Sequence, residues 1–210
     1  MLCNKNGINE IKDLLVKKQY SIDIIRKIIL SLNEENGLHV VFKNIYGNYF
    51  IQELLQKMNN DLIQLTIDLI SSNFVNIAKS PYGTYALQEL LNHINNSEME
   101  KEIIKAIKYK EKEMAFDEYA TYVLQKIISI IPDKKRIKLN FILIDYTKDL
   151  SLNANSVFVL KKFISTNTIE DNKRRIIFEL KKNFLIIAKN PFGNYIIQYI
   201  FDVWPMKDNR

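Results

Sequence analysis

The feature that most constrains this chain is a ten-residue segment that recurs in phase along it. Tyr46-Gly-Asn-Tyr-Phe-Ile-Gln-Glu-Leu-Leu55, Tyr82-Gly-Thr-Tyr-Ala-Leu-Gln-Glu-Leu-Leu91, Tyr119-Ala-Thr-Tyr-Val-Leu-Gln-Lys-Ile-Ile128 and Phe192-Gly-Asn-Tyr-Ile-Ile-Gln-Tyr-Ile-Phe201 superpose without gaps. Asn48 and Thr84 are 36 residues apart, Thr84 and Thr121 are 37 apart, and Thr121 and Asn194 are 73 apart, which is two periods. A copy is therefore required near residue 157. Ser156-Val-Phe-Val-Leu-Lys-Lys-Phe-Ile164 stands there, with the apolar pattern kept and the polar letters lost. A weaker copy over residues 7–15 precedes the first strong one by 40 residues, the excess being absorbed at 33–37. That makes about six units over residues 1–210. A unit this short cannot bury an apolar face alone, so neighbours must stack.

Each unit reads as helical. In residues 61–70, Leu62, Leu65, Thr66 and Leu69 follow the spacing of one buried helical face. Residues 99–109, 134–146 and 172–182 are the corresponding amphipathic helices. Phe74-Val-Asn-Ile-Ala-Lys79 and Phe184-Leu-Ile-Ile-Ala-Lys189 form a second recurring element, closed by Pro81-Tyr-Gly83 and Pro191-Phe-Gly193. Gly47, Gly83 and Gly193 hold one place before the motif helix, read as a turn that needs an unhindered backbone. One unit is then a short helix, a sharp turn, the motif helix, a loop and a longer helix.

Within the motif helix, the first and fifth letters lie one turn apart and the second is adjacent, so the three share an exposed edge. Asn48, Tyr49 and Gln52 form this set, followed by Thr84, Tyr85 and Gln88, by Thr121, Tyr122 and Gln125, and by Asn194, Tyr195 and Gln198. Phe50, Ile51, Leu54 and Leu55 are left for neighbouring helices. Such a ladder suits a single strand of nucleic acid: an aromatic face stacks on any base, and Gln presents one donor group and one acceptor to a base edge. Two plainer readings compete. The first letters could be N-caps, and the tyrosines could be packed between repeats.

The pattern Gly-Asn-Tyr-x-Ile-Gln on a period of about 36 resembles the Pumilio and FBF (PUF) repeat, over nearly the whole chain. The resemblance implies an all-α, right-handed superhelical solenoid of three-helix repeats, armadillo-like, that binds single-stranded RNA at one base per repeat. It implies that Asn48 with Gln52 and Asn194 with Gln198 read uracil. Thr84 with Gln88 and Thr121 with Gln125 would favour adenine, and Tyr49, Tyr85, Tyr122, Phe158 and Tyr195 would stack. Because the family runs antiparallel to RNA, the expected core is 5′-U-N-A-A-U-3′. The implied role is regulation of messages through 3′ untranslated regions, by repression in the cytoplasm. The fifth unit, with Val157 and Lys161, keeps a stacker but has no amide, so it tolerates any base while Lys161 reaches phosphate. The first unit, with Ile8, Asn9 and Lys12, caps the stack. The copies match the first six of the usual eight, so an open end is expected at Ile200, Phe201 and Trp204, where a protein partner could dock.

Alternatives are a HEAT or armadillo-like scaffold that reads peptides, and a ribosome-biogenesis branch of the family with little base selection, which would be nucleolar. An enzyme is not expected: Cys3, His39 and His93 show no metal-ligand spacing, and no phosphate loop or nucleophile elbow appears, so no catalytic residue, cofactor, metal or small-molecule substrate is assigned. No apolar run approaches a bilayer span, and one cysteine cannot form an internal disulfide. The net charge of +6 is unevenly spread. Residues 1–105 hold 11 Lys+Arg against 12 Asp+Glu, and residues 106–210 hold 19 against 12. A polyanion is drawn to the second half, while the runs 134–136, 173–175 and 181–182 read as solvated outer face.

Overall fold

A computed structural model describes residues 21–204. The weak first unit, with Ile8, Asn9 and Lys12, lies outside the described residues. Contacts divide the chain into two compact units, Met1–Lys108 and Tyr109–Arg210.

In the first unit, α1 (Ile22–Asn36) ends at Gly37, whose φ of 78° turns the chain into the short helix α2 (Leu38–Lys43). The motif helix α3 (Gly47–Leu55) and the long helix α4 (Asn60–Ile70) complete one repeat. The next consists of α5 (Phe74–Ala78), α6 (Gly83–Asn92) and α7 (Ser97–Ala106). Like packs on like: α3 on α6, α2 on α5, and α4 on both α1 and α7. The result is three layers of helices with a core between them.

The second unit repeats this plan. Its short helices are α8 (Glu111–Phe116), α11 (Thr147–Ser151) and α14 (Phe184–Lys189). Its motif helices are α9 (Ala120–Ile130), α12 (Ser156–Thr166) and α15 (Pro191–Val203), and its long helices are α10 (Ile137–Asp145) and α13 (Glu170–Lys182). Helix α12 packs between α9 and α15, and α10 packs on α13. No strand occurs among the described residues, and none of their helices is long and apolar enough to cross a membrane.

The apolar letters of the motif form the core. Phe50, Ile51, Leu54 and Leu55 are fully buried, as are Val159, Leu160, Phe163 and Ile164 of the polar-poor fifth unit. Each such side chain stabilises by about 1.5–3 kcal/mol, which explains why that unit keeps its place after losing its polar letters. In α4 the buried stripe is Leu62, Ile63, Thr66, Ile67 and Ile70, with Leu65 and Leu69 half-buried, one row over from the face expected. The helix lies between α1 and α7, so two adjacent apolar rows compete for the core. Thr66 tolerates full burial because its hydroxyl donates to the Leu62 carbonyl at 2.8 Å.

Of the residues expected at an open end, Phe201 is exposed, Trp204 is half-buried and Ile200 is packed away. With Phe184 and Ile197 they border a cavity of about 340 Å³.

Candidate nucleic-acid interface

The start of each of the five described motif helices is fixed by a side chain the sequence reading passed over. Asn44 Oδ1 accepts from the backbone N–H groups of Tyr46 and Gly47, both at 2.9 Å. Asp117 Oδ1 accepts from Tyr119 and Ala120, Asn153 Oδ1 from Asn155 and Ser156, and Asn190 Oδ1 from Phe192 and Gly193, all at 2.9–3.1 Å. Ser80 Oγ accepts from Gly83 at 3.2 Å. These five residues sit four places before the first ladder letter and share the 36/37 phase, so the signal was present. Each satisfies helix N-terminal donors that the first turn leaves unpaired. The ladder residues are therefore not the caps.

The glycines have a different reason from the one expected. A Cβ at Gly47, Gly83 or Gly193 would stand 2.4 Å from the carbonyl oxygen of Val41, Ile77 or Ile187, six residues earlier in the short helix. Close approach of two helices, not turn geometry, excludes a side chain. At the same place Ser156 turns the contact to use, donating its hydroxyl to the Leu150 carbonyl at 3.1 Å.

This seating sets what each ladder letter does. The second letter faces outward in every described unit: Tyr49 and Tyr85 are 60% exposed, Tyr122 56%, Phe158 54% and Tyr195 42%. An aromatic ring at that exposure is not packed between repeats, so the core reading of these positions fails. The fifth letters Gln52, Gln88, Gln125 and Lys161 are half-buried, and Gln198 is exposed.

The first letter departs from expectation. Asn48, Thr84, Thr121 and Val157 are buried to 3% exposure or less, and only Asn194 is exposed. Helical spacing put all three letters on one edge, but the first lies at the foot of the motif helix, in the notch against the preceding turn. There Asn48 Nδ2 donates to the carbonyls of Asn44 and Ile45 at 3.0 and 2.7 Å, and Thr121 Oγ1 donates to Glu118 at 3.2 Å. Asn194 lies on the last described motif helix, with no further one stacked on it among the described residues. The buried letters still act on the surface through their partners. Gln52 Nε2 donates to Asn48 Oδ1 at 3.1 Å, and Gln88 Nε2 reaches the carbonyl and hydroxyl oxygens of Thr84 at 3.3 and 3.4 Å. One amide hydrogen of each Gln is thereby used, which orients the head group and leaves a carbonyl and a second hydrogen for another partner.

Among the described residues no group of His, Cys, Asp or Glu is arranged to hold a metal. His93 is the C-cap of α6 and lies 3.4 Å from Glu89. The basic runs are mostly solvated, with one correction. Arg136 is 1% exposed, its guanidinium donating to the Ile131 carbonyl, to Asn140 Oδ1 and to Thr166 Oγ1 at 3.0, 2.6 and 3.1 Å. Burial pushes its pKa down to about 10, a shift that the nearby Asp133 partly opposes. A cationic letter within a basic run reads as surface because charge alone carries no information about a buried acceptor set.

The profile of the Pumilio-family RNA binding repeat, PUF, matches residues 43–71, 73–107, 112–139 and 183–210. The chain belongs to the PUF family. The stretch that the PUF profile passes over contains the fifth unit, whose motif helix and exposed Phe158 ring are nonetheless in place. Among curated PUF relatives, Pumilio homolog 12 of Arabidopsis thaliana is 24% identical over 203 residues, covering 90% of this chain and 34% of the relative. Pumilio homology domain family member 4 of Saccharomyces cerevisiae is 26% identical over 170 residues, covering 77% of this chain and 19% of the relative. The chain spans about a third of the length of the first curated relatives it matches, 34% and 36%. Among solved structures, the RNA-binding domain of yeast Puf5p bound to AAT2 RNA superposes with a TM-score of 0.85 at 20% identity, over 96% of this chain and 57% of that one. PUF-8 in complex with PBE-RNA gives 0.84 at 20%, over 98% and 59%. The fold is thus the PUF α-solenoid of RNA-binding domains.

Proposed function

We propose that this protein binds single-stranded RNA, one base per repeat, as a regulator of messages through their 3′ untranslated regions. The observation that carries the proposal is the recurrence of one exposed aromatic ring per repeat, on both described motif helices of the first unit and all three of the second, each 42–60% exposed. Rings left in water at matched positions of the helices stacked within each unit are platforms for unpaired bases. The glutamines stand one turn further along each helix and supply the mixed donor and acceptor edge. The first letter works beneath them. Asn48 and Thr84 both hold Nε2 of the glutamine above them, Gln52 and Gln88, and the base preference carried over from the family pattern is uracil for Asn with Gln and adenine for Thr with Gln. The relatives support this reading, since Puf3 and Puf4 RNA-binding domains of the same fold hold 3′ UTR recognition sequences. Read antiparallel, the target core is U, a fifth-unit base, A, A, U.

The test is a fluorescence-anisotropy titration of a labelled RNA carrying that core. Replacing Tyr85 and Tyr122 together by Ala removes two platforms and weakens binding by about 2–4 kcal/mol if the terms add. Affinity also falls as salt rises, since phosphate contacts release counterions. An unaltered titration in the double variant refutes the stacking reading.

A further inference from the structure

Two departures from the repeat meet in space. At the place of Gln in the other ladders the fifth unit carries Lys161, and at the place held by Glu53, Glu89, Lys126 and Lys162 the sixth carries Tyr199. Lys161 Nζ lies 4.7 Å from the centroid of the Tyr199 ring and 4.8 Å from that of Tyr195, and it donates to the Tyr195 hydroxyl. The two rings stack on each other, with centroids 6.3 Å apart and planes 19° from parallel. A lysine normally spreads its ammonium over many rotamers. This one is held by two aromatic faces and a hydroxyl.

Its position decides its role. Phe158 and Tyr195 are consecutive platforms on the packed helices α12 and α15. Lys161 is one turn after Phe158 on α12 and touches Tyr195, so the cation stands where the nucleotide between those platforms presents its edge. The buried Val157 beneath it offers no polar side-chain atom.

Resting on the RNA reading above, we infer that Lys161 makes the fifth unit a reader of keto bases, guanine before uracil, where the repeat pattern alone leaves it unread. An ammonium has three donors and no acceptor. Guanine meets it with two neighbouring acceptors, O6 and N7, and uracil with O4. Where guanine and uracil carry the keto oxygen, at C6 and C4, adenine and cytosine carry an amino group, which faces the cation with a donor. The preferred core becomes U-G-A-A-U.

The experiment uses the full chain and four fluorescein-labelled RNAs that differ only at this base. The wild-type protein is expected to bind in the order G, U, then A and C, with guanine roughly tenfold tighter than adenine, the worth of one charge-assisted hydrogen bond. Lys161→Gln, which restores the family's amide, narrows the gap between guanine and adenine, and Lys161→Met abolishes the order. Tyr199→Glu draws the ammonium away to a carboxylate and erodes the preference with Lys161 still present. Equal binding of the four RNAs by the wild type overturns the inference and leaves the RNA reading standing. A uniform loss across all four in Lys161→Met, with a shallower salt dependence, assigns the cation to phosphate and overturns it too. Failure of the wild type to bind any of them sinks the RNA reading itself.

Discussion

Gly83→Ala tests the packing that seats the ladder. A Cβ at this position would stand 2.4 Å from the Ile77 carbonyl oxygen and 2.8 Å from Ile77 Cγ2, where ordinary contact begins near 3.4 Å. The carbonyl belongs to α5 and Ile77 is fully buried, so no side-chain rotation relieves the clash. The two helices must part by about 1 Å. Overpacking of this kind costs about 1–3 kcal/mol, against which alanine returns about 0.5–1 kcal/mol of helix preference over glycine. The net is a loss of about 1–2 kcal/mol, or about 4 °C in melting temperature for a chain of this size. The reciprocal change supplies the control. Ala120 holds the same place in α9 and is fully buried, so that notch already accommodates a methyl, and Ala120→Gly is expected to destabilise by about 1 kcal/mol. Thermal melting followed by circular dichroism reads both. A Gly83→Ala protein that melts at or above the wild type would show that the close approach is not what excludes a side chain.

Two further outcomes concern the polar cluster of the second unit. Arg136→Met strips donors from the Ile131 carbonyl and Asn140 Oδ1 inside the fold and is expected to lower stability by about 3 kcal/mol by chemical denaturation; a loss under 1 kcal/mol would mean that the site relaxes around the vacancy. Burial raises the pKa of Asp133, but the Thr168 hydroxyl and N–H, both donating at 2.7 Å, and the charge of Arg136 outweigh it, so the folded carboxyl titrates below its ordinary value. Its contribution is complete above about pH 4 and disappears as pH falls through the lowered folded value. Asp133→Asn should therefore flatten the acid limb of the stability curve, and an unchanged limb would remove Asp133 from the account of acid unfolding.

The repeat made most of this fold legible before any coordinates. Phase alone placed a unit at residue 157, and the apolar letters there build a helix as well buried as its neighbours. The outward rings were legible for the same reason, since a position that stays aromatic in all five units while the next varies among Phe, Ala, Val and Ile is set by the surface it faces. The burial of Asn48, Thr84 and Thr121 was not. Helical spacing describes one helix in isolation, and these residues answer to a second one, the short helix packed against their foot. The caps were written in the sequence as Asn, Ser or Asp at 44, 80, 117, 153 and 190, but a polar residue four places upstream of a ladder letter means little until the turn between them is seen. Arg136 shows the limit of charge as a guide, because its fate is decided by acceptors from Ile131 to Thr166, which only the tertiary fold collects.

The five capping residues carry a consequence for how such a chain can change. Where the motif helix begins is dictated by a side chain five positions before the exposed ring, so the residue that sets the frame and the residues on the exposed face are separate. Mutations can then change the exposed letters one repeat at a time, as Lys161 in the fifth unit illustrates, while the scaffold beneath holds its frame.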